Sequence, residues 1–201
     1  MHNSVDMNKR WLPRCGAALW ASLMILSVFV SKAAWGSDGK SSDCPLLLQH
    51  SFTQLNSSKQ LDMCGLFKGK VLLIVNTASQ CGFTPQYKQL EALHQAYSSR
   101  GFAVIGFPSN DFRQDRGSEA DTAKVCYLDY GVTFPMAGRT AVTGSQANPV
   151  FKQLAAESGV EPNWNFFKYL IDRKGNVVAV FASRTQPTDA LLTGQLEQLL
   201  R

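Results

Sequence analysis

Between positions 71 and 107 two fully apolar blocks flank one that is apolar on a single helical face. Val71-Leu-Leu-Ile-Val75 and Phe102-Ala-Val-Ile-Gly-Phe107 are continuous runs rich in β-branched residues, the pattern of strands buried on both faces. Between them Thr84 offers an N-cap with Pro85 at the first helical position. Tyr87, Leu90, Leu93 and Tyr97 then recur at helical spacing, and Arg100-Gly101 ends the helix. A strand, a crossover helix and a second strand predict a right-handed βαβ unit with parallel strands, which leaves Cys81 on the loop leaving the first strand.

The flanking segments extend this plan. Half-apolar stretches at 52–55 and 60–63 around the polar turn Asn56-Ser57-Ser58-Lys59 predict a small N-terminal β-hairpin. Ser118-Glu-Ala-Asp121 is a capping box for a helix reaching about Asp129 and containing Cys126. Asn148-Pro149 opens another, to about Glu157. Lys168–Ile171 and Val177–Ala182 bracket Asp172-Arg-Lys-Gly175-Asn176, the clearest hairpin in the chain. A last helix begins near Thr188. A parallel βαβ half joined to an antiparallel hairpin half is an α/β, thioredoxin-like architecture: a central mixed β-sheet flanked by helices, with an N-terminal β-hairpin. Periodicity by itself leaves other α/β folds open.

The first residues stand apart from this core. Lys9, Arg10 and Arg14 precede an apolar run from Cys15 to Val30, followed by Ala33, Ala34 and Gly36, the layout of a secretory signal peptide. The run is shorter than the roughly 20 residues a spanning helix needs. We therefore divide the chain into a signal peptide (1–36), a Ser/Asp/Gly-rich lead-in (37–45) and one domain (46–201), exported to the periplasm or secreted. The formal charge of +5 is mostly targeting segment: residues 1–36 hold Lys9, Arg10, Arg14, Lys32 and Asp6, a net +3, which leaves +2. No basic stretch interleaved with aromatics remains to suggest nucleic acid.

After cleavage the cysteines are Cys44, Cys64, Cys81 and Cys126, and an oxidising compartment permits disulfides among them. Cys81 precedes a helix start, where unpaired backbone N–H groups and the helix dipole favour the thiolate, the nucleophilic form of cysteine. A structural bridge is the plain alternative. Cys-Gly-Phe-Thr84 lacks the second cysteine of a Cys-x-x-Cys dithiol, which argues against a thioredoxin-type disulfide exchanger. His50 and His94 do not stand at metal-ligand spacing with a cysteine, so neither a metal site nor a cofactor is expected.

Val75-Asn-Thr-Ala-Ser-Gln-Cys81-Gly-Phe-Thr-Pro-Gln-Tyr87 resembles the segment around the active-site selenocysteine or cysteine of glutathione peroxidases. Gly106-Phe-Pro-Ser-Asn-Asp-Phe112, Gly131-Val-Thr-Phe-Pro-Met136 and Trp164-Asn-Phe166 resemble three further motifs of that family, in the same order. The resemblance covers about residues 46–200. It implies that Cys81 attacks the peroxide, and that Trp164 and Asn165 supply an indole N–H and an amide to the thiolate or the peroxide. It also places the family's glutamine at Asp111, where a carboxylate beside Cys81 would oppose a thiolate unless turned away or paired with Arg113 or Arg116.

The resemblance further implies a cycle. Hydrogen peroxide or an organic or lipid hydroperoxide converts Cys81 to a sulfenic acid, which condenses with Cys126 as resolving cysteine, and a thioredoxin-like protein rather than glutathione restores both thiols. Because a disulfide needs Cα atoms within about 7 Å, the Cys126 helix is expected to unwind locally during turnover. The short segment from Gly144 to Trp164 lacks the insertion of tetrameric members and implies a monomer. Cys44 and Cys64, outside the motifs, flank the N-terminal hairpin and are candidates for a structural bridge. Two alternatives stay open at this point: an exported thiol–disulfide oxidoreductase, and a redox sensor that does not turn over.

Overall fold

The computed structural model describes residues 43–201. The expected signal peptide, and positions 37–42 of the lead-in, lie outside the described residues.

Four strands form the central sheet in the order β4-β3-β5-β6: β3 (Val71–Thr77), β4 (Phe102–Pro108), β5 (Lys168–Ile171) and β6 (Val177–Phe181). β3 pairs parallel with β4 and antiparallel with β5, which pairs antiparallel with β6. β3 and β4 are buried along their whole length, as their unbroken apolar runs require. The expected N-terminal hairpin is β1 (Ser51–Thr53) with β2 (Gln60–Asp62). It is shorter than its apolar pattern because Asp62 caps a one-turn helix, α1 (Met63–Phe67), that the sequence did not announce.

Side chains alternate between two cores, one on each face of the sheet. Val71, Leu73 and Val75 of β3 join Tyr87, Leu90 and Leu93 of α2 (Gln86–Tyr97) and Leu192 and Leu196 of α5 (Ala190–Leu199). Leu72 and Ile74 face the other way, against Met63 and Phe67 of α1 and Val150, Phe151 and Leu154 of α4 (Pro149–Ser158). The capping box at Ser118 forms with Asp121, but the helix it opens changes character: α3 (Glu119–Ala123) passes into a π-helical turn over Lys124–Asp129. The third sequence motif lies along β4 through the bridge Gly106↔Met136, with Gly106 N–H donating to Pro135 O at 3.0 Å. A Cβ at Gly106 would collide with the Met136 side chain, so this packing needs glycine.

Cys44 and Cys64 are disulfide-bonded, with Cα atoms 6.1 Å apart and a sequence separation of 20. The bond ties the entry of the described chain to α1 and closes a loop whose chain-entropy contribution is about 3 kcal/mol. Replacing both cysteines with serine is therefore expected to lower the urea-extrapolated unfolding free energy by about 3 kcal/mol, with peroxidase turnover retained. An unchanged midpoint would show that the bridge constrains nothing in the unfolded chain.

Candidate active site

Cys81 stands on the loop between β3 and α2, where two local features fix it. Its backbone N–H donates to Thr84 Oγ1 at 3.0 Å, and that hydroxyl donates to Ala78 O at 2.9 Å. Thr84 is thus the clasp of the cysteine loop rather than the cap of α2, and the helix begins one residue later than the sequence suggested, with Pro85 at the N-cap. The backbone N–H of Phe83 donates to Cys81 Sγ at 3.4 Å, directing a donor at the atom that carries the charge in a reactive thiolate. The sulfur is in no disulfide, and Cys81 is buried, with 7% of the residue exposed.

The partner side chains come from two other segments. Trp164 is 41% exposed, with its ring 5.6 Å from that of Phe112. Asn165 is buried, and its Nδ2 donates to Gln114 Oε1 at 2.9 Å while its Oδ1 has no partner among the described residues. Gln114 in turn accepts, through its backbone carbonyl, the N–H of Gln80 at 2.9 Å, next to the cysteine. The loops bearing Cys81, Gln114 and Asn165 are therefore joined directly.

Gln114 was not singled out from the sequence, which had only Asp111 for the glutamine's place. The structure turns Asp111 elsewhere: its Oδ2 accepts the backbone N–H of Val142 at 2.7 Å and of Thr143 at 3.1 Å. It serves as an anchor for that loop, and the amide facing Asn165 is supplied three residues later. The signal was a glutamine in a polar stretch beside the second motif, and polar loops have no periodicity to expose it.

Asn76, the last but one residue of β3, positions the Trp164–Asn165 turn. Its Nδ2 donates to Trp164 O at 3.0 Å, its Oδ1 accepts Phe167 N–H at 2.9 Å and its carbonyl accepts Phe166 N–H at 2.7 Å. These bonds hold Phe166 at φ +62°, a left-handed conformation that strains a bulky residue by about 1–3 kcal/mol. Such a turn persists only where its surroundings over-determine it.

A second network fixes the cysteine loop from below. Asp115, fully buried, accepts Ser79 N–H at 2.9 Å, Thr122 Oγ1–H at 3.2 Å and Arg139 Nε–H at 2.9 Å. Asp115 thereby connects the residues just ahead of Cys81 with the helix that carries Cys126.

Cys126 is also unbonded but fully buried in the π-helical turn, beside the Tyr87 hydroxyl. Burial pushes its thiol up to about 12, with the Asp115 carboxylate adding to the rise and Tyr87 opposing it. In this conformation Cys126 is protonated at neutral pH and sealed from solvent. Beside Trp164 a cleft of about 390 Å³ opens, lined by Phe83, Asn163, Trp164, Ala182, Ser183 and Arg184.

Comparison with known proteins agrees with this geometry. Residues 49–155 match the family model described as glutathione peroxidase. The chain is 46% identical over 142 residues to the glutathione peroxidase-like peroxiredoxin HYR1 of Saccharomyces cerevisiae, spanning 67% of this chain and 85% of that protein. It is 46% identical over 145 residues to the hydroperoxy fatty acid reductase gpx1 of Synechocystis, with the same coverage. Among solved structures, Trgpx in apo form superimposes with a TM-score of 0.60 at 33% identity, covering 77% of this chain and 95% of that one. A thioredoxin-family thiol:disulfide interchange protein from Chlorobium tepidum, at 17% identity and a TM-score of 0.57, over 76% of this chain and 93% of that one, shares the fold alone. Since the family match extends over more than half of the 201 residues and takes in the reactive loop, this chain belongs to the glutathione peroxidase family and is a thiol-dependent peroxidase.

Proposed function

We propose that the protein is an exported two-cysteine peroxidase that reduces hydrogen peroxide and organic or lipid hydroperoxides. The observation that carries the reading is Cys81: an unbonded thiol on the loop that follows β3, with a backbone N–H on its sulfur and the Gln114–Asn165 amide pair joined to its loop.

In the first step the Cys81 thiolate attacks the terminal peroxide oxygen. The O–O bond breaks, the sulfur is oxidised to sulfenic acid, and the departing alkoxide or hydroxide takes a proton to leave as alcohol or water. Trp164 has an N–H to donate, and Asn165 can both donate and accept, so either can steady the developing charge. In the second step Cys126 attacks the sulfenic sulfur, forming the Cys81–Cys126 disulfide and releasing water. Thiol–disulfide exchange with a thioredoxin-like dithiol then restores both thiols. Glutathione is the alternative reductant.

The buried, protonated state of Cys126 means that the second step follows an opening of the turn around it. Its π-helical form fits this, because i→i+5 turns are rare single-turn departures from the α-helix that concentrate at functional sites. Opening both delivers the sulfur and removes the desolvation that keeps it protonated. For the substrate, the cleft beside Trp164 gives an acyl chain aromatic walls from Phe83 and Trp164, in line with the activity named for the Synechocystis relative. Export is supported by the N-terminal targeting pattern and by the Cys44–Cys64 bond, which belongs in an oxidising compartment. The absence of the assembly insertion between Gly144 and Trp164 supports a monomer.

The test supplies thioredoxin and glutathione in turn to wild type and to Cys126→Ser. Wild type is expected to turn over with thioredoxin and, after one equivalent of peroxide, to yield a Cys81–Cys126 peptide pair by mass spectrometry. Cys126→Ser is expected to oxidise once and then to lose thioredoxin-supported turnover by on the order of a hundredfold. Undiminished turnover in that variant, or no such peptide pair, would remove Cys126 from the cycle.

A further inference from the structure

Lys168 is the only fully buried cation among the described residues, at 0% exposure. It lies in β5, opposite Val75 of β3 and Phe181 of β6, on the sheet face that also carries Cys81. No carboxylate balances it: the ion pairs among the described residues are Lys68–Asp43 and Arg139–Asp115. Its ammonium makes one hydrogen bond, Nζ–H to the carbonyl of Phe166 at 2.7 Å. That carbonyl belongs to the residue held at φ +62°, directly after Trp164 and Asn165.

We propose that Lys168 is a positioning residue of the peroxide site, whose buried amine holds the left-handed turn at Phe166 and so sets the placement of Trp164 and Asn165. The inference rests on the reading of Trp164 and Asn165 as parts of that site.

The chemistry of the position separates this role from ordinary packing. A lysine buried without a counter-charge is disfavoured in its charged form, and burial takes Lys168 down to about 7. Near neutral pH a methionine, similar in length and apolar, would fill the same space without that desolvation cost. What methionine cannot supply is the N–H. Asn76 binds the turn by Trp164 O, Phe166 N–H and Phe167 N–H, leaving the Phe166 carbonyl to Lys168 alone. Without it a buried carbonyl loses its partner at a strained residue, and the turn relaxes toward ordinary φ values.

Lys168→Met in the full chain is the test, read by thermal unfolding at pH 7, by kcat/KM for hydrogen peroxide and by alkylation of Cys81 with iodoacetamide. The expected result is a protein at least as stable as wild type, with Cys81 still alkylated, but slower by about ten- to a hundredfold because Trp164 and Asn165 are displaced. A structural role would lower stability and activity together, and that outcome, or failure to fold, overturns the proposal. So does a rate within about twofold of wild type. Lys168→Gln, which restores an N–H donor, is expected to be at least about threefold faster than Lys168→Met, in line with one regained hydrogen bond; equal rates overturn the proposal as well. Wild-type turnover that survives loss of the Cys81 sulfur would sink the peroxide-site reading itself, a result distinct from all of these.

Discussion

Cys81→Ser is expected to reduce hydroperoxide more slowly than wild type by on the order of a thousandfold or more, while unfolding at the same denaturant concentration. Serine is close to cysteine in size, and the contacts that hold the loop use the backbone of residue 81 and the side chain of Thr84, so the fold has no reason to change. What disappears is the nucleophile. Sulfur attacks peroxide as a thiolate, and a serine hydroxyl is not ionised at neutral pH. The Phe83 N–H that meets Sγ would face a neutral oxygen. Steady-state peroxide consumption with thioredoxin, alongside urea unfolding of both proteins, checks both halves of the expectation. A variant that keeps a tenth of wild-type turnover would mean that the oxidised atom lies elsewhere.

Asp115→Ala is expected to cost about 3 kcal/mol of stability, the lower end of the range for breaking a buried ion pair. The lower end applies because Arg139 keeps 25% of its side chain in solvent and retains bonds to Gly117 O at 2.9 Å and Ser118 O at 3.2 Å. The loss is shared among three places, since the same carboxylate receives Ser79 N–H, Thr122 Oγ1–H and Arg139 Nε–H. Ser79 leads into Cys81, and Thr122 lies in α3 ahead of Cys126. Faster amide exchange at 78–80 and 118–124 is therefore expected along with the lower unfolding midpoint. Exchange unchanged at both segments would show that Asp115 steadies only Arg139.

The strands were legible because burial on both faces writes itself as an unbroken apolar run, and β3 and β4 needed no other signal. Helix ends were less so. Thr84 followed by proline has the appearance of a cap, yet the hydroxyl is taken by Cys81 N–H and Ala78 O, a competition between loop and helix that spacing cannot settle. Five residues interrupted by Gly65 gave no sign of α1, and a six-residue π-helical turn has no periodic signature. Within the site, the residues named by familiar motifs were Cys81, Trp164 and Asn165. Those whose roles depend on contacts far along the chain were not named. Gln114 meets Asn165 across 51 positions, and Asn76 reaches Trp164 across 88. Lys168 reads from sequence as an ordinary charged residue at a strand end, because nothing in one dimension shows that its strand lies between β3 and β6 with the side chain buried.

The cysteines are sorted by the sheet. Cys81 and Cys126 belong to the core on the α2 and α5 side, whereas Cys44 and Cys64 pack on the opposite side. Four strands of hydrogen-bonded backbone form a partition between the two free thiols and the bonded pair. Shuffling between them would require the domain to come apart. A small protein can thus carry a fixed cross-link on one side of its sheet and reactive sulfur on the other, and chemistry at the one need not unfasten the other.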